Sequence, residues 1–154
     1  MLTSTDHSYY LLLSALLFFS CIRQTEIDES KIKQQVISVI QKSEQDWNGG
    51  SIESFMESYL RSDSLRFASG ASVNYGWQPV LERYKQRYQD KAAMGHLTFS
   101  ELHITVISAD AALVFGRYTL ERENDEPTGL FTLLFRKTEE GWRIVHDHTS
   151  SETN

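Results

Sequence analysis

The sequence predicts an α+β fold in which three N-terminal helices pack on one face of a mostly antiparallel sheet, with a core that opens into a pocket. Two observations carry this prediction. Apolar residues recur every three or four positions in the first half of the chain, and every second position from Leu97 onward. The final segment, residues 141–150, is rich in branched and aromatic residues and follows a turn, which is typical of a terminal strand.

Size and charge restrict the possible functions. The chain has 154 residues, of which 40% are hydrophobic and 12% aromatic, enough for one globular domain with a core. The formal net charge is -6, and no run of basic residues occurs. This argues against a nucleic-acid partner, because phosphates attract basic surfaces. No glycine-rich phosphate loop or serine nucleophile elbow occurs, and we expect no cofactor.

The N-terminus resembles an export signal. Residues 9–20 form an apolar run that is too short to span a membrane and ends at Cys21, the only cysteine. The ending Phe18-Phe19-Ser20-Cys21 resembles a bacterial lipobox, although residues 1–8 lack Lys and Arg. We therefore expect a leader over 1–21 with lipidation at Cys21, a tether over 22–27 and a domain over 28–150. The protein would be a lipoprotein of the cell envelope or periplasm, on the membrane only through its lipid anchor; the alternative is an uncleaved apolar N-terminus.

Three helices are predicted before the sheet. Asp28 or Ser30 begins the first, Ser51 caps the second, and Pro79 lies in the first turn of the third. In the third helix, Arg87 is expected to face solvent. The inward faces are expected to be Ile32, Val36, Val39 or Ile40, Ser43 and Trp47; then Ile52, Phe55, Met56 and Tyr59; then Trp77, Leu81, Tyr84 and Tyr88.

One short strand over 65–68, a polar loop over 69–75 and four long strands complete the prediction. Strict alternation in the last strand places Ile144, His146 and His148 on the pocket face and Asp147 on the opposite face. Pairing across the short turn then places Leu133 beside His146. The strand over 111–121 has apolar residues on both faces, so one face is expected to form a subunit interface.

The terminal motif carries a family resemblance. Its sequence, Gly-Trp-Arg-Ile-Val-His-Asp-His-Thr-Ser over 141–150, resembles the end of the association domain of calcium/calmodulin-dependent kinases. The turn Asp110-Ala111-Ala112 and the segments over 94–97 and 129–132 resemble SnoaL-like domains. Over residues 28–150, the chain is similar to the nuclear transport factor 2-like superfamily. The resemblance implies a cone-shaped fold in which the three helices pack on a curved sheet. It also implies a deep pocket between the helices and the concave sheet, and homodimers through the convex sheet face.

The resemblance also implies which residues line the pocket. The arginines of the kinase association domains fall at Tyr118 and Leu133, so a pocket for an apolar or weakly polar small molecule is expected. The carboxylate base of ketosteroid isomerases has no counterpart near residues 67–69, which argues against that activity. The expected pocket residues are Trp47, Tyr59, Trp77, Tyr84, Tyr88, Tyr118, Leu133, His146 and His148.

Three functions remain open from the sequence. The first is an exported pocket protein that binds a small organic ligand, with His146 and His148 as polar anchors. The second is a cyclase or dehydratase that uses His146 or His148 for proton transfer. The third is a homo-oligomeric assembly domain with a vestigial cavity. The His-x-His spacing also suits a metal, but a third ligand is not evident, so no metal site is expected.

Overall fold

A computed structural model of the chain describes residues 27–151. The helices are α1 (Glu29–Asn48), α2 (Ile52–Met56), α3 (Trp77–Arg87) and α4 (Lys91–Met94). The strands are β1 (Arg66–Ser69), β2 (Ser72–Tyr75), β3 (His96–Ser108), β4 (Ala111–Glu121), β5 (Thr128–Thr138) and β6 (Gly141–Thr149). The predicted leader, Cys21 and nearly all of the tether lie outside the described residues, so export and lipidation stay predictions. No helix within the described range has the length and apolar character to cross a membrane.

The local rules of helix formation account for α1 and α2. The Asp28 carboxylate accepts a hydrogen bond from the Lys31 backbone N–H, and the Ser51 hydroxyl accepts one from the Ser54 N–H, so each helix has a side-chain cap. The predicted inward face of α1 is confirmed, because its buried residues are Ile32, Val36, Ile40, Ser43 and Trp47. This stripe fixes α1 across the concave face of the sheet.

The strands form one sheet in the order β2-β1-β6-β5-β4-β3. Only β1 and β6 pair in parallel, and every other neighbouring pair is antiparallel. On the concave face, Val114 of β4 and Phe135 of β5 are fully buried beneath the helices. Helices packed on one face of a mostly antiparallel sheet confirm the predicted α+β fold.

The polar loop predicted over 69–75 is instead a hairpin. Gly70, at a φ of 59°, makes the tight turn between β1 and β2, a backbone conformation that glycine adopts at little cost. The β2 side chains are mostly exposed, and Val73 and Tyr75 are among the most exposed apolar residues described. A strand without a buried face has no hydrophobic alternation, so periodicity could not reveal it.

The decisive departure from the prediction lies in β6. Ile144 pairs with Phe135, and His146 pairs with the neighbouring residue Leu134. Val145 is therefore an extra residue of β6 that has no partner in β5. Such a β-bulge interrupts the alternation of side chains between the two faces. Beyond it, Leu133 pairs with Asp147 rather than with His146.

Candidate functional site

A cavity of about 180 Å³ lies between the helices and the concave sheet. A water molecule in the liquid occupies about 30 Å³, so the space corresponds to roughly six waters. The wall is contributed by α1, α2, α3 and all strands except β2. Its lining residues are Ile40, Ser43, Trp47, Phe55, Tyr59, Phe67, Ser69, Arg83, Tyr84, Arg87, Tyr88, Leu97, Phe99, Tyr118, Leu120, Phe131, Leu133, Ile144, Asp147, Thr149 and Ser151.

The helical side of the cavity is a continuous aromatic cluster. The Trp47 ring meets Phe55 edge-on at a centroid distance of 5.0 Å and Tyr88 at 4.8 Å. Tyr84 contacts Phe55 at 5.3 Å and Phe67 at 5.6 Å, which joins the helices to β1. These edge-to-face contacts fix the orientation of the rings, so the cavity has a largely preformed wall.

One carboxylate lies in this aromatic wall. Asp147 is only 3% exposed, and both of its oxygens accept hydrogen bonds. The Tyr59 hydroxyl donates to Oδ2 at 2.8 Å, and the Thr149 hydroxyl donates to Oδ1 at 2.6 Å. Tyr59 is itself buried on the segment after α2, so a contact between distant parts of the chain positions the carboxylate.

Burial changes the acid–base chemistry of this group. Loss of hydration raises the pKa of Asp147 to about 6, although the hydrogen bonds from Thr149 and Tyr59 lower it in part. Burial and the neighbouring carboxylate raise the pKa of Tyr59 well above its usual value, so its hydroxyl stays protonated. The single Tyr59 O–H is already donated to Asp147, so the pair offers the cavity one positioned proton acceptor.

The structure brings six of the nine predicted pocket residues together around the cavity: Trp47, Tyr59, Tyr84, Tyr88, Tyr118 and Leu133. Trp77 is not among the lining residues. Its indole N–H donates to the Met56 carbonyl at 2.9 Å, and the Arg61 guanidinium stacks over its ring at 4.6 Å. Trp77 therefore packs against the end of α2 instead of facing the cavity.

The prediction that His146 and His148 line the pocket is wrong. The bulge at Val145 turns both imidazoles to the outer face and turns Asp147 and Thr149 inward. Burial, followed by nearby Arg66, lowers the pKa of His146, whose Nδ1 atom is buried without a hydrogen-bond partner in the described chain. His148 is exposed. Neither histidine contributes to the cavity.

Sequence reasoning missed the functional groups that replace them. Asp147 was assigned to the wrong face. Arg87 is exposed, as predicted, but it also borders the cavity. Arg83, four residues before Arg87 on α3, lines the cavity too. The adjacent branched residues Ile144 and Val145 were the only sign in the sequence of a break in alternation.

Comparison with known proteins identifies the family. Residues 36–153 match the model of the SnoaL-like domain, which is most of the chain. The chain belongs to the SnoaL-like family. Within residues 27–151 of this SnoaL-like domain, no group of three His, Cys, Asp or Glu side chains could hold a metal ion. None of the curated proteins compared with it matches.

Solved structures agree with this assignment. An NTF-2 like protein of unknown function from Shewanella oneidensis is 35% identical, with a TM-score of 0.74, over 77% of this chain and 98% of that one. A nuclear transport factor 2-like superfamily protein from Salmonella enterica is 20% identical, with a TM-score of 0.64, over 82% and 94% of the two chains. A ketosteroid isomerase-like protein from Erwinia carotovora is 16% identical, with a TM-score of 0.63, over 79% and 96%. The last two show a shared fold alone.

The pKa of Asp147 predicts a specific dependence of stability on pH. The folded-state pKa of about 6 exceeds the ordinary value of 3.8, so the folded protein holds an extra proton between these pH values. The stabilisation that protonated Asp147 gives the folded protein is complete below about pH 4 and is lost as the pH rises through about 6. From pH 4 to above pH 6, the free energy of unfolding of wild type should fall by roughly 3 kcal/mol relative to that of Asp147→Asn, as urea unfolding measures.

Asp110→Asn is the control, because the Asp110 carboxyl is exposed and hydrogen bonding by Ser108 lowers its pKa, so that it titrates below this window. The difference in the free energy of unfolding between wild type and Asp110→Asn should stay constant above about pH 4. A difference between wild type and Asp147→Asn that does not change with pH would show that Asp147 is solvated.

Proposed function

We propose that this domain binds a small organic molecule with a largely apolar body in the cavity. One observation carries the proposal: a preformed aromatic wall surrounds a space of about 180 Å³ that contains a single buried carboxylate, Asp147. Ligand pockets are typically apolar with a few polar groups that fix orientation. An aromatic-walled space that contains one carboxylate has the composition of a ligand pocket rather than that of a packed core.

The polar and apolar groups have separate roles in this proposal. The rings of Trp47, Tyr84 and Tyr88 supply contact area for an apolar or weakly polar body. Asp147, mainly ionised at neutral pH, accepts a hydrogen bond from a ligand O–H or N–H. Its oxygens can take further donors, because each already accepts only one bond from the described residues.

A neutral aromatic alcohol tests this function. 2-Naphthol has an apolar body and one donor, and we expect binding in the micromolar to low millimolar range, about 0.3–0.8 kcal/mol per non-hydrogen atom. Ser43→Phe places a ring in the cavity and should reduce affinity at least about tenfold, measured by calorimetry.

Ser38→Phe is the matched control, because Ser38 is exposed on the same helix and does not line the cavity. Equal affinity of wild type and Ser43→Phe, with both proteins folded, would place the bound ligand elsewhere. Absence of binding at millimolar concentration would favour the assembly domain as the alternative.

A second candidate function is proton transfer by Asp147. A carboxylate with a pKa near 6, hydrogen-bonded to a protonated tyrosine inside an apolar cavity, has the properties of a general base. Asp147 would abstract a proton from the substrate, and the hydrogen bonds from Tyr59 and Thr149 would hold its carboxylate in position. This role replaces the one predicted for the histidines, which lie outside the cavity.

Small-molecule extracts separate catalysis from binding. Wild type incubated with an extract should convert at least one compound that Asp147→Asn leaves unchanged, because the amide has no comparable basicity. Mass spectrometry of both reactions measures the difference. Asp110→Asn serves as the control and should behave like wild type. If Asp147→Asn converts the same compounds at the same rate, Asp147 is not the base.

The outer face of the sheet supports a homodimer. Ile107 is 58% exposed, Phe115 38% and Leu130 36%, and no helix described by the structure covers this face. The His103 ring lies 6.4 Å from Phe115 and extends the flat surface. Exposed apolar patches on soluble domains mark interaction surfaces. A second copy of the chain would bury the patch through a symmetric contact.

A charge in this patch should prevent dimerisation. We expect wild type to sediment as a dimer at micromolar concentration and Phe115→Glu as a monomer, because two carboxylates would be buried opposite each other. Val73→Glu is the control, since Val73 is 50% exposed on β2, away from the patch. A monomeric wild-type domain, or a dimeric Phe115→Glu variant, would contradict the proposed interface.

A further inference from the structure

Two arginines of the cavity wall have no acidic partner. Arg83 and Arg87 lie four residues apart on α3, so their side chains share one helical face, and both line the cavity. Neither forms an ion pair with any residue of the described chain. Arg83 is half-buried and Arg87 is exposed, so the two side chains bring uncompensated positive charge to the part of the aromatic wall that meets solvent.

This arrangement is not due to a shortage of acidic residues. The chain has 21 acidic and 15 basic residues. Lys85, between the two arginines in sequence, pairs with Glu53 at 2.8 Å on the solvent side of α3. Arginines paired elsewhere in the described chain are Arg61, Arg117, Arg122, Arg136 and Arg143. Arg66, also without an ion pair, lies near His146, which faces away from the cavity.

Aromatic rings position both guanidinium groups. The Arg83 guanidinium carbon lies 5.7 Å from the Phe67 ring centroid, and that of Arg87 lies 5.6 Å from the Tyr88 centroid. Arg87 Nε donates a long hydrogen bond of 3.3 Å to the Tyr88 hydroxyl, and Arg83 makes no hydrogen bond to the described residues. Stacked guanidinium groups with free N–H donors are suited to bind a carboxylate in bidentate geometry.

The arginines and Asp147 are separate features of the cavity. Neither arginine pairs with Asp147, and neither contributes to the shift of the Asp147 pKa. Instead, the charge of Arg83 partly offsets the burial that raises the pKa of Tyr84, and the charge of Arg87 does the same for Tyr118. Both tyrosines line the same wall. The cavity is therefore polarised, with cations at the α3 wall and a hydrogen-bonded carboxylate on β6.

We propose that the ligand is an organic carboxylate, bound by Arg83 and Arg87 through its anionic group while its apolar body packs on the aromatic wall. This inference rests on the proposed binding function and replaces the apolar or weakly polar ligand expected from the sequence with an amphipathic anion. The Asp147 carboxylate repels an anion, so the ligand is oriented with its charge toward α3 and any hydroxyl toward β6.

An isosteric pair of probes tests the charge alone. 2-Naphthoate and 2-naphthamide differ in the charge of one group, and wild type should bind the carboxylate about tenfold more tightly at neutral pH and low salt, as calorimetry measures. In the double variant Arg83→Gln/Arg87→Gln, the affinity for the naphthoate should fall to that for the amide, with the amide affinity little changed. Added salt should reduce the wild-type preference.

Lys85→Gln is the matched control, because it removes one positive charge from the same helix outside the cavity, and it should keep the preference. Equal affinity of wild type for both probes contradicts the carboxylate specificity and leaves the binding function intact. If the double variant still prefers the naphthoate, other residues cause the preference, and the proposed role of the arginines is wrong. Failure of both probes and of 2-naphthol to bind contradicts the binding function itself.

Discussion

Strand β6 contains one residue more than the segment of β5 with which it pairs, and this extra residue decides the chemistry of the cavity. Without a bulge at Val145, alternation from Ile144 would place His146 and His148 inside. With it, the buried positions after Ile144 are Asp147 and the half-buried Thr149. A one-residue irregularity thus exchanges two imidazoles for a carboxylate and a hydroxyl. β-Bulges often redirect side chains next to functional sites in this way.

Placing Asp147 in an aromatic wall has an energetic cost that the fold offsets in part. An ionised carboxylate loses hydration when buried, and two hydroxyl donors replace only some of the lost hydrogen bonds. The remaining cost is expressed as the raised pKa. Stability alone would favour an apolar residue at this position, because replacing buried polar groups by apolar ones is often neutral or stabilising. A buried carboxylate that contacts a cavity is therefore explained by recognition or proton transfer better than by folding.

The sequence predicted the parts of the structure that obey regular periods. The face of α1 from Ile32 to Trp47 was predicted apart from the choice between Val39 and Ile40, because a helix with one buried face repeats every 3.6 residues. The aromatic wall followed from the same rule together with the family resemblance. Strand β2 was missed because its side chains are mostly exposed, whereas β1, with buried Phe67, was predicted one residue out of place. The faces of β6 were assigned wrongly because a bulge changes the period without changing composition. The arginines of the cavity could not be predicted, since the same spacing on α3 suits a solvated face as well as a lining one.

The position of Asp147 is the claim on which the cavity, the proposed ligand orientation and the possible proton transfer all depend. Carbon-13 NMR of the side-chain carboxyl groups, assigned by the loss of one resonance in Asp147→Asn, measures its titration directly. The buried and hydrogen-bonded geometry predicts a midpoint near 6 for this resonance. A midpoint at or below about 4, the range of a solvated aspartate, would contradict the burial of Asp147 in the cavity wall.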